Sequence, residues 1–318
     1  MSDPTDAFVL DGSAEWTPPP WPEDCPPPGV YHIGMAAYQR IPAANASSLK
    51  LGLQYSALHM RETLGGRLHR DSAALRFGRA VHCRLLEPAT FQESWPVVGP
   101  CEALLKSGAR QDQPCGANGA AQDDAGHWYC GKHLPGAHTK PDDYVTPSEA
   151  ASIKQMAASI YDHEVVKLLR SHGGCEVTLI WERDGLPCKA RLDKLIDDPL
   201  TVVDLKTTAF GGGTGRAIKW AVSEYQYDLS AAWYCDAVKA VTGNRASFFW
   251  VFAEKESPYA VAAAPLKPAM REVGRMKTNR AWAMYLHGVK TGEWPGYGVV
   301  AVDPSDWEIK AYGLEGLV

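Results

Sequence analysis

A stretch of alternating polar and apolar residues lies in the middle of this 318-residue chain, between positions 176 and 206. The alternation has a period of two and predicts three short strands, over 176–182, 189–195 and 201–206. On either side the apolar residues recur at helical spacing. Helices, a run of strands and then further helices are typical of the α+β class, so we expect a sheet covered by helices.

The two turns between these strands set their register. Asp184-Gly185 is a two-residue hairpin signal, and it places Glu176 opposite Asp193 in the next strand. The following connection, 197–200, is predicted to be a four-residue loop, which places Asp193 opposite Asp204. Residues directly opposite in an antiparallel ladder share a face, so the three acids form one row with Cβ atoms about 5 Å apart.

This row of acids indicates a metal site. Lys206 is two residues beyond Asp204 and points the same way. Like charges in a row repel, and a bound cation is a usual compensation; oxygen ligands favour Mg²⁺ or Mn²⁺. A lysine beside such a cation can orient or deprotonate a water, or stabilise the charge that develops on a phosphate. The pattern therefore predicts phosphodiester hydrolysis.

The other face of the three strands is apolar and is predicted to be the core. Its residues are Val177, Leu179, Trp181, Ala190, Leu192, Ile196, Val203 and Leu205.

Another interpretation of the row stays open. Exposed strands often carry acids and lysines in solvated ladders, and a second acid-x-Lys triplet, Glu308 and Lys310, is taken to be chance. A second loop that was one residue shorter or longer would move Asp193 to the other face relative to Asp204.

Composition excludes several classes of protein. Hydrophobic residues make up 45% of the chain, enough for a real core, and the net charge is −5, so any contact with nucleic acid must be local. No run approaches the roughly 18 consecutive apolar residues of a membrane helix, and no secretory signal is present, so a cytoplasmic location is expected.

Residues 1–30 are rich in proline and predict a disordered or extended arm. The remainder, 31–318, is predicted to be one nuclease domain.

Three short motifs follow one another in a specific order along the chain. They are Gly78-Arg79-Ala80-Val81-His82, Ala190-Arg191-Leu192-Asp193 and Val202-Val203-Asp204-Leu205-Lys206-Thr207-Thr208. In this order they resemble the motifs of the PD-(D/E)XK nucleases, and most closely those of the phage and prophage exonuclease VIII (RecE-type) branch. The resemblance runs from about residue 33 to the Glu293-Trp294-Pro295 segment and implies a restriction-endonuclease-like core with a central mixed sheet flanked by helices.

The resemblance also implies roles for individual residues. His82 is expected to be a helix-borne metal ligand, although a lone histidine is more often a satisfied buried residue. Asp193 and Asp204 are expected to bind the metal, and the Leu205 carbonyl is a possible further ligand. Lys206 is expected to be the catalytic lysine. Glu176 matches a commonly acidic position of the branch.

DNA contacts are expected from a local basic patch. Six arginines stand between Met60 and Arg84 against two acids, and Arg76 and Arg79 are the candidates for phosphate contacts. The branch often carries Gln and Tyr four residues apart after the third motif; here Tyr234 is preceded at that spacing by Ser230. Tyr234 is a candidate DNA contact, with ordinary helix packing as the alternative.

A polar segment over 98–146 is predicted to be an inserted module around zinc. Cys101, Cys115, Cys130 and His133 are its candidate ligands, because three thiolates and an imidazole close a tetrahedral structural site. A floppy insertion with incidental cysteines is the alternative, and His127 is a spare candidate ligand.

Together these patterns predict a Mg²⁺- or Mn²⁺-dependent exodeoxyribonuclease that degrades linear duplex DNA from an end. The resemblance further implies resection of the 5′ strand, a single-strand annealing recombinase as partner, and a ring-shaped homo-oligomer. The alternatives are a structure-specific or single-strand nuclease of the same superfamily and a catalytically silent DNA-binding adaptor.

Overall fold

A computed structural model of the chain describes residues 17–68, 72–117, 119, 121–123, 125–133, 143–299 and 302–313. The strands are β1 (Gly29–Tyr31), β2 (Ala121–Gln122), β3 (Trp128–Tyr129), β4 (Gly173–Arg183), β5 (Leu186–Ile196), β6 (Thr201–Thr208), β7 (Ser247–Glu254) and β8 (Val261–Pro265). The helices are α1 (Met35–Arg40), α2 (Ala46–Gln54), α3 (Ala57–Leu64), α4 (Ala73–Leu86), α5 (Phe91–Ser94), α6 (Pro147–Asp162), α7 (Val166–Arg170), α8 (Gly215–Glu224), α9 (Tyr227–Thr242), α10 (Pro268–Thr291) and α11 (Asp306–Tyr312).

Six strands form one mixed sheet in the order β1-β4-β5-β6-β7-β8. Only the β6–β7 pair is parallel within this sheet, and the crossover between those two strands carries α8 and α9. The remaining neighbours are antiparallel. The predicted α+β architecture with a central mixed sheet is confirmed.

Both faces of the sheet are buried. One face, called here the first face, packs against α2, α3, α9 and α10 through large side chains such as Trp233 and Trp282. The second face packs against α4 and α6 through Phe77, Ile153 and Met156. A sheet covered on both faces places any reactive group at an edge or at a break in its hydrogen bonding.

The predicted register of the three central strands is confirmed. Arg183 pairs with Leu186 across the Asp184-Gly185 turn, where both turn residues have positive φ (50° and 75°), as a tight hairpin requires. Ile196 pairs with Thr201 across the four-residue loop.

The predicted single core face was wrong in part. Val177, Leu179, Trp181, Ala190 and Leu192 pack on the first face, but Ile196, Val203 and Leu205 pack on the second.

The reason is a shift in the alternation at the level of Glu176 and Asp193. On β5 both Leu192 and Leu195 pack on the first face, although residues three apart in a regular strand point to opposite faces. On β4, Glu176 has φ +51°, a left-handed conformation that is uncommon for a residue with a side chain. At this irregularity, which lies at the level of the acids, the side chains of the strands change from one face of the sheet to the other.

The proline-rich segment packs against the fold where it is described. Residues 1–16 lie outside the described residues. Over 17–28 the chain has no regular structure but makes a turn at 23–25, where Cys25 is buried and its carbonyl accepts a hydrogen bond from Trp21 Nε1 at 2.9 Å. β1 then pairs with β4, so the sheet begins at Gly29.

Among the described helices none combines the length and apolar character needed to cross a membrane.

We expect Gly274→Ala to destabilise the fold. A Cβ at this buried position of α10 would lie 2.2 Å from the backbone oxygen of Asp228 in α9, so the two helices would have to separate. The expected cost is about 1–3 kcal/mol in the free energy of unfolding, measured by denaturant titration.

Gly215→Ala is the matched control. Gly215 begins α8 and an added Cβ would meet open space, so this change should be neutral or stabilising by less than about 1 kcal/mol. Equal unfolding midpoints for the two variants would contradict the packing of α9 on α10.

Candidate active site

The central feature of the candidate site is the point where β5 and β6 part. Their ladder pairs three residues of each strand and ends at Lys194 and Val203. Just beyond, the Asp193 carboxylate takes the place of a strand partner, because its Oδ2 accepts the backbone N–H of Leu205 at 2.7 Å. The carboxylate is thereby fixed inside the gap between the two strands.

His82 reaches the same gap from α4. Its Nε2 lies 2.9 Å from the Leu205 carbonyl oxygen, and its Nδ1 lies 3.5 Å from Asp193 Oδ1. Burial lowers the pKa of His82, but the charge and hydrogen bond of Asp193 oppose this and leave that pKa above its usual value. Both ring nitrogens face acceptors, which is the arrangement of a protonated imidazole.

The Asp193 carboxyl shows the reciprocal effect. Burial raises its pKa, but the charge and hydrogen bond of His82, with the charge of Lys206, lower it to about 2. Asp193 is therefore ionised at neutral pH.

Glu176 completes a group of three. A ligand atom from each of His82, Glu176 and Asp193 lies within 4.8 Å of the other two. The Glu176 carboxylate is held by Arg191, whose Nε is 2.6 Å from Oε2. Burial and the nearby charge of Asp193 raise the pKa of Glu176, while Arg191 opposes the rise.

Asp204 and Lys206 lie next to this group as a buried pair. Lys206 Nζ is 2.6 Å from Asp204 Oδ2, and the Asp204 side chain is 4% exposed. That oxygen has an ion-pair contact but no hydrogen bond of good geometry among the described residues. Burial raises the pKa of Asp204. Burial also disfavours the charge on Lys206, but the charges of Asp204 and Asp193 prevail and raise its pKa.

The predicted row of acids thus differs from the structure in detail. Glu176 and Asp193 converge with His82, whereas Asp204 stands outside that group and pairs with Lys206. Among the described strands, no ladder pair joins Asp193 to Glu176 or to Asp204, because the strands are irregular there.

Three further residues belong to this region and were not predicted. Arg191 neutralises Glu176; its position diagonal to Glu176 in the predicted register could have revealed it. Tyr227 at the start of α9 lies between Lys206 and Lys50, whose Nζ atoms are 5.1 and 5.6 Å from its ring centroid. Burial and the charge of Lys206 lower the pKa of Lys50 to about 8. Lys50 comes from α2, far away in the chain, so no local pattern points to it.

The predicted DNA-binding arginines are largely paired within the protein. Arg76 is buried, with its guanidinium 3.8 Å from the Tyr144 ring centroid and 2.7 Å from Glu149 Oε1. Arg79 is half-exposed and lies 2.9 Å from Asp143 Oδ1. The charge of Arg76 thus holds the chain that enters α6, and the predicted phosphate contact of this residue stays a prediction.

Other residues of the basic patch, and Tyr234, also contact the protein itself. Arg61 and Arg67 both pair with Glu62, and Arg70 lies outside the described residues. Tyr234 packs against the core of the first face, and burial raises its pKa well above the usual value.

The four predicted zinc ligands are brought together as a separate group. Ligand atoms of Cys101, Cys115, Cys130 and His133 lie within 4.8 Å of one another. His127 is not in this group; its Nδ1 lies 3.3 Å from Asp123 Oδ2.

The carboxylate site fits a divalent cation. The carboxylate oxygens of Glu176 and Asp193 are donors that suit Mg²⁺ and Mn²⁺. In the structure the three acids Glu176, Asp193 and Asp204 face the cationic side chains of Arg191 and Lys206, so that His82 in its neutral, ligating form would leave a net negative charge. A cation would supply positive charge where these groups converge.

The mixed sheet and its convergent acids define a PD-(D/E)XK-like protein. The chain belongs to the family described as a PDDEXK-like domain of unknown function (DUF3799), whose model matches residues 45–301. The predicted superfamily is confirmed, and this membership supports a nuclease.

A solved structure has a similar fold. The crystal structure of a "putative exonuclease" from Eubacterium rectale is similar to this chain with a TM-score of 0.58 and 16% identity, covering 89% of this chain and 99% of its own. The crystal structure of SSO0001 has a TM-score of 0.26 and 14% identity, covering 43% of this chain and 67% of its own. No curated protein matches the chain.

We expect Arg191→Met to destabilise the protein by about 3–5 kcal/mol, because it leaves the buried Glu176 carboxylate without its partner. Both side chains of this pair are at most 13% exposed. Denaturant titration of the single variants and of Arg191→Met/Glu176→Gln measures the coupling. The double variant should recover much of the loss, and strictly additive effects would show that the pair is not coupled.

Proposed function

We propose that this protein is a metal-dependent exodeoxyribonuclease that hydrolyses linear duplex DNA from an end. The observation that carries the proposal is the convergence of His82, Glu176 and Asp193 beside the Asp204–Lys206 pair. Membership in a PDDEXK-like family supports the hydrolysis of phosphodiester bonds.

Asp193, Glu176 and His82 would hold Mg²⁺ or Mn²⁺, His82 after releasing its proton, with Asp204 and the Leu205 carbonyl as further ligands. The bound ion would supply a Lewis acid for the phosphate and lower the pKa of a water. The hydrogen bond from the Leu205 N–H fixes the orientation of the Asp193 carboxylate before any ligand arrives.

Lys206 acts in its protonated form. Its raised pKa disfavours a role as general base at neutral pH. Its ammonium group instead donates to a phosphate oxygen on which negative charge develops, an interaction that is strongest in the transition state. Asp204 holds Lys206 in position.

The preference for duplex ends is supported by the resemblance to the exonuclease VIII (RecE-type) branch. From that resemblance we extend the proposal to resection of the 5′ strand, which leaves a 3′ overhang for a single-strand annealing recombinase. A ring-shaped homo-oligomer and a cytoplasmic location belong to the same proposal.

Two alternatives differ in what they need from the site. A structure-specific or single-strand nuclease would use the same residues on another substrate. A silent DNA-binding adaptor would not need them, and the joint presence of Glu176, Asp193, Asp204 and Lys206 argues against it.

Incubation with three DNA substrates tests the proposal. Linear duplex should be degraded in Mg²⁺, covalently closed duplex should stay intact, and chelator should abolish cleavage. Equal cleavage of closed circles or preference for linear single strands would favour the first alternative, and binding without cleavage would favour the adaptor. Blocking either the 5′ or the 3′ ends separates the two polarities.

Lys206→Gln and Asp193→Asn should each reduce the rate of cleavage by about 10²–10³-fold or more, because both side chains act on the charge of the transition state. Glutamine is preferred to alanine at position 206 because it leaves a donor beside the buried Asp204 carboxylate. Thermal melting of each variant separates loss of chemistry from loss of fold.

The matched control is Glu308→Gln with Lys310→Ala, the second acid-x-Lys triplet. Glu308 caps the exposed helix α11 through Ser305, and glutamine can make the same capping contacts. Cleavage by this control should be near normal. Near-normal digestion of linear duplex by Lys206→Gln would contradict the assignment of the active site.

A further inference from the structure

Among its described residues, the insertion (residues 98–146) forms no hydrophobic core of its own. Its regular structure, where described, consists of the two-residue strands β2 and β3. Over the described positions 101–133 the buried residues are Cys101, Gly119 and Cys130. Two of these three are thiols, so something other than apolar packing must hold this segment together.

The backbone brings the cysteines together in two steps. Hydrogen bonds from Cys115 N to Ala103 O and from Gly116 N to Cys101 O hold the first two cysteines on adjacent segments. Cys130 and His133 are joined by a tight turn in which His133 N donates to Cys130 O at 2.9 Å. The two segments meet at the four side chains.

The distances match a tetrahedral metal site. His133 Nδ1 lies 3.3 Å from Cys101 Sγ and 3.5 Å from Cys130 Sγ. In a zinc tetrahedron with Zn–S of about 2.3 Å and Zn–N of about 2.0–2.1 Å, sulfur and nitrogen are about 3.5 Å apart. The ligand atom of His133 is therefore Nδ1.

We propose that Cys101, Cys115, Cys130 and His133 bind one structural zinc ion that holds the insertion folded. Four protein ligands close the tetrahedron and leave no position for a substrate, so the site stabilises rather than catalyses. The inference concerns residues outside the proposed nuclease site and does not depend on that function.

The insertion is tied to α4, which carries His82. Its two ends meet where Val97 bridges Val145, with Val98 N donating to Val145 O at 2.8 Å. The chain leaving it places Tyr144 and Glu149 around the buried Arg76, and Asp143 beside Arg79. Loss of zinc should therefore destabilise α4 as well as the insertion.

Elemental analysis of the purified full chain tests the proposal. We expect about one zinc per chain, and removal of the ion by a strong chelator should lower the melting temperature. Absence of zinc after growth with added zinc, iron in its place, or unchanged melting after complete removal would each overturn the proposal.

Matched variants test the ligands. Cys115→Ser and His133→Gln should lose zinc, whereas Cys83→Ser and His127→Gln should retain it, because Cys83 and His127 lie outside the cluster. Retention of zinc by both Cys115→Ser and His133→Gln would overturn the assignment. If these variants do not fold, the elemental analysis of the unchanged protein still decides whether zinc is bound. Neither readout uses cleavage of DNA, so each is separate from the test of the nuclease.

Discussion

The break in the ladder between β5 and β6 determines the arrangement of the site. At that point a carboxylate replaces a strand partner, since Asp193 accepts the Leu205 N–H at 2.7 Å. A buried carboxylate is costly unless it is paired and hydrogen-bonded, and here the cost is offset by His82 and by the neighbouring Lys206. The same gap brings the Leu205 carbonyl within reach of His82.

The two faces of the sheet contribute different groups to this break. His82 comes from α4 on the second face, whereas Tyr227 and Lys50 come from helices on the first. The acids can contact groups from both faces because the side chains of the strands change faces at this level. The change occurs at Glu176, where the backbone is left-handed. Such strain is retained where the surrounding structure enforces it, and it often accompanies function.

Much of this arrangement followed from the sequence because hairpin rules are local. The Asp184-Gly185 turn and the four-residue loop correctly predicted the register, and with it the approach of Asp193 to Glu176. The alternation of polar and apolar residues could not predict that the side chains change faces. A single residue with positive φ reverses the face on which the following side chains lie, and the sequence pattern does not show it. The paired state of Arg76 depends on Glu149, 73 positions away, and composition alone could not reveal it.

Titration of Mn²⁺ into the purified protein without DNA shows whether the carboxylate site binds a divalent cation. Paramagnetic resonance distinguishes free from bound Mn²⁺, and comparison with Asp193→Asn identifies the ligand. We expect bound Mn²⁺ in the unchanged protein and a large loss of affinity in Asp193→Asn. Equal binding by both proteins, or none by either, would contradict it.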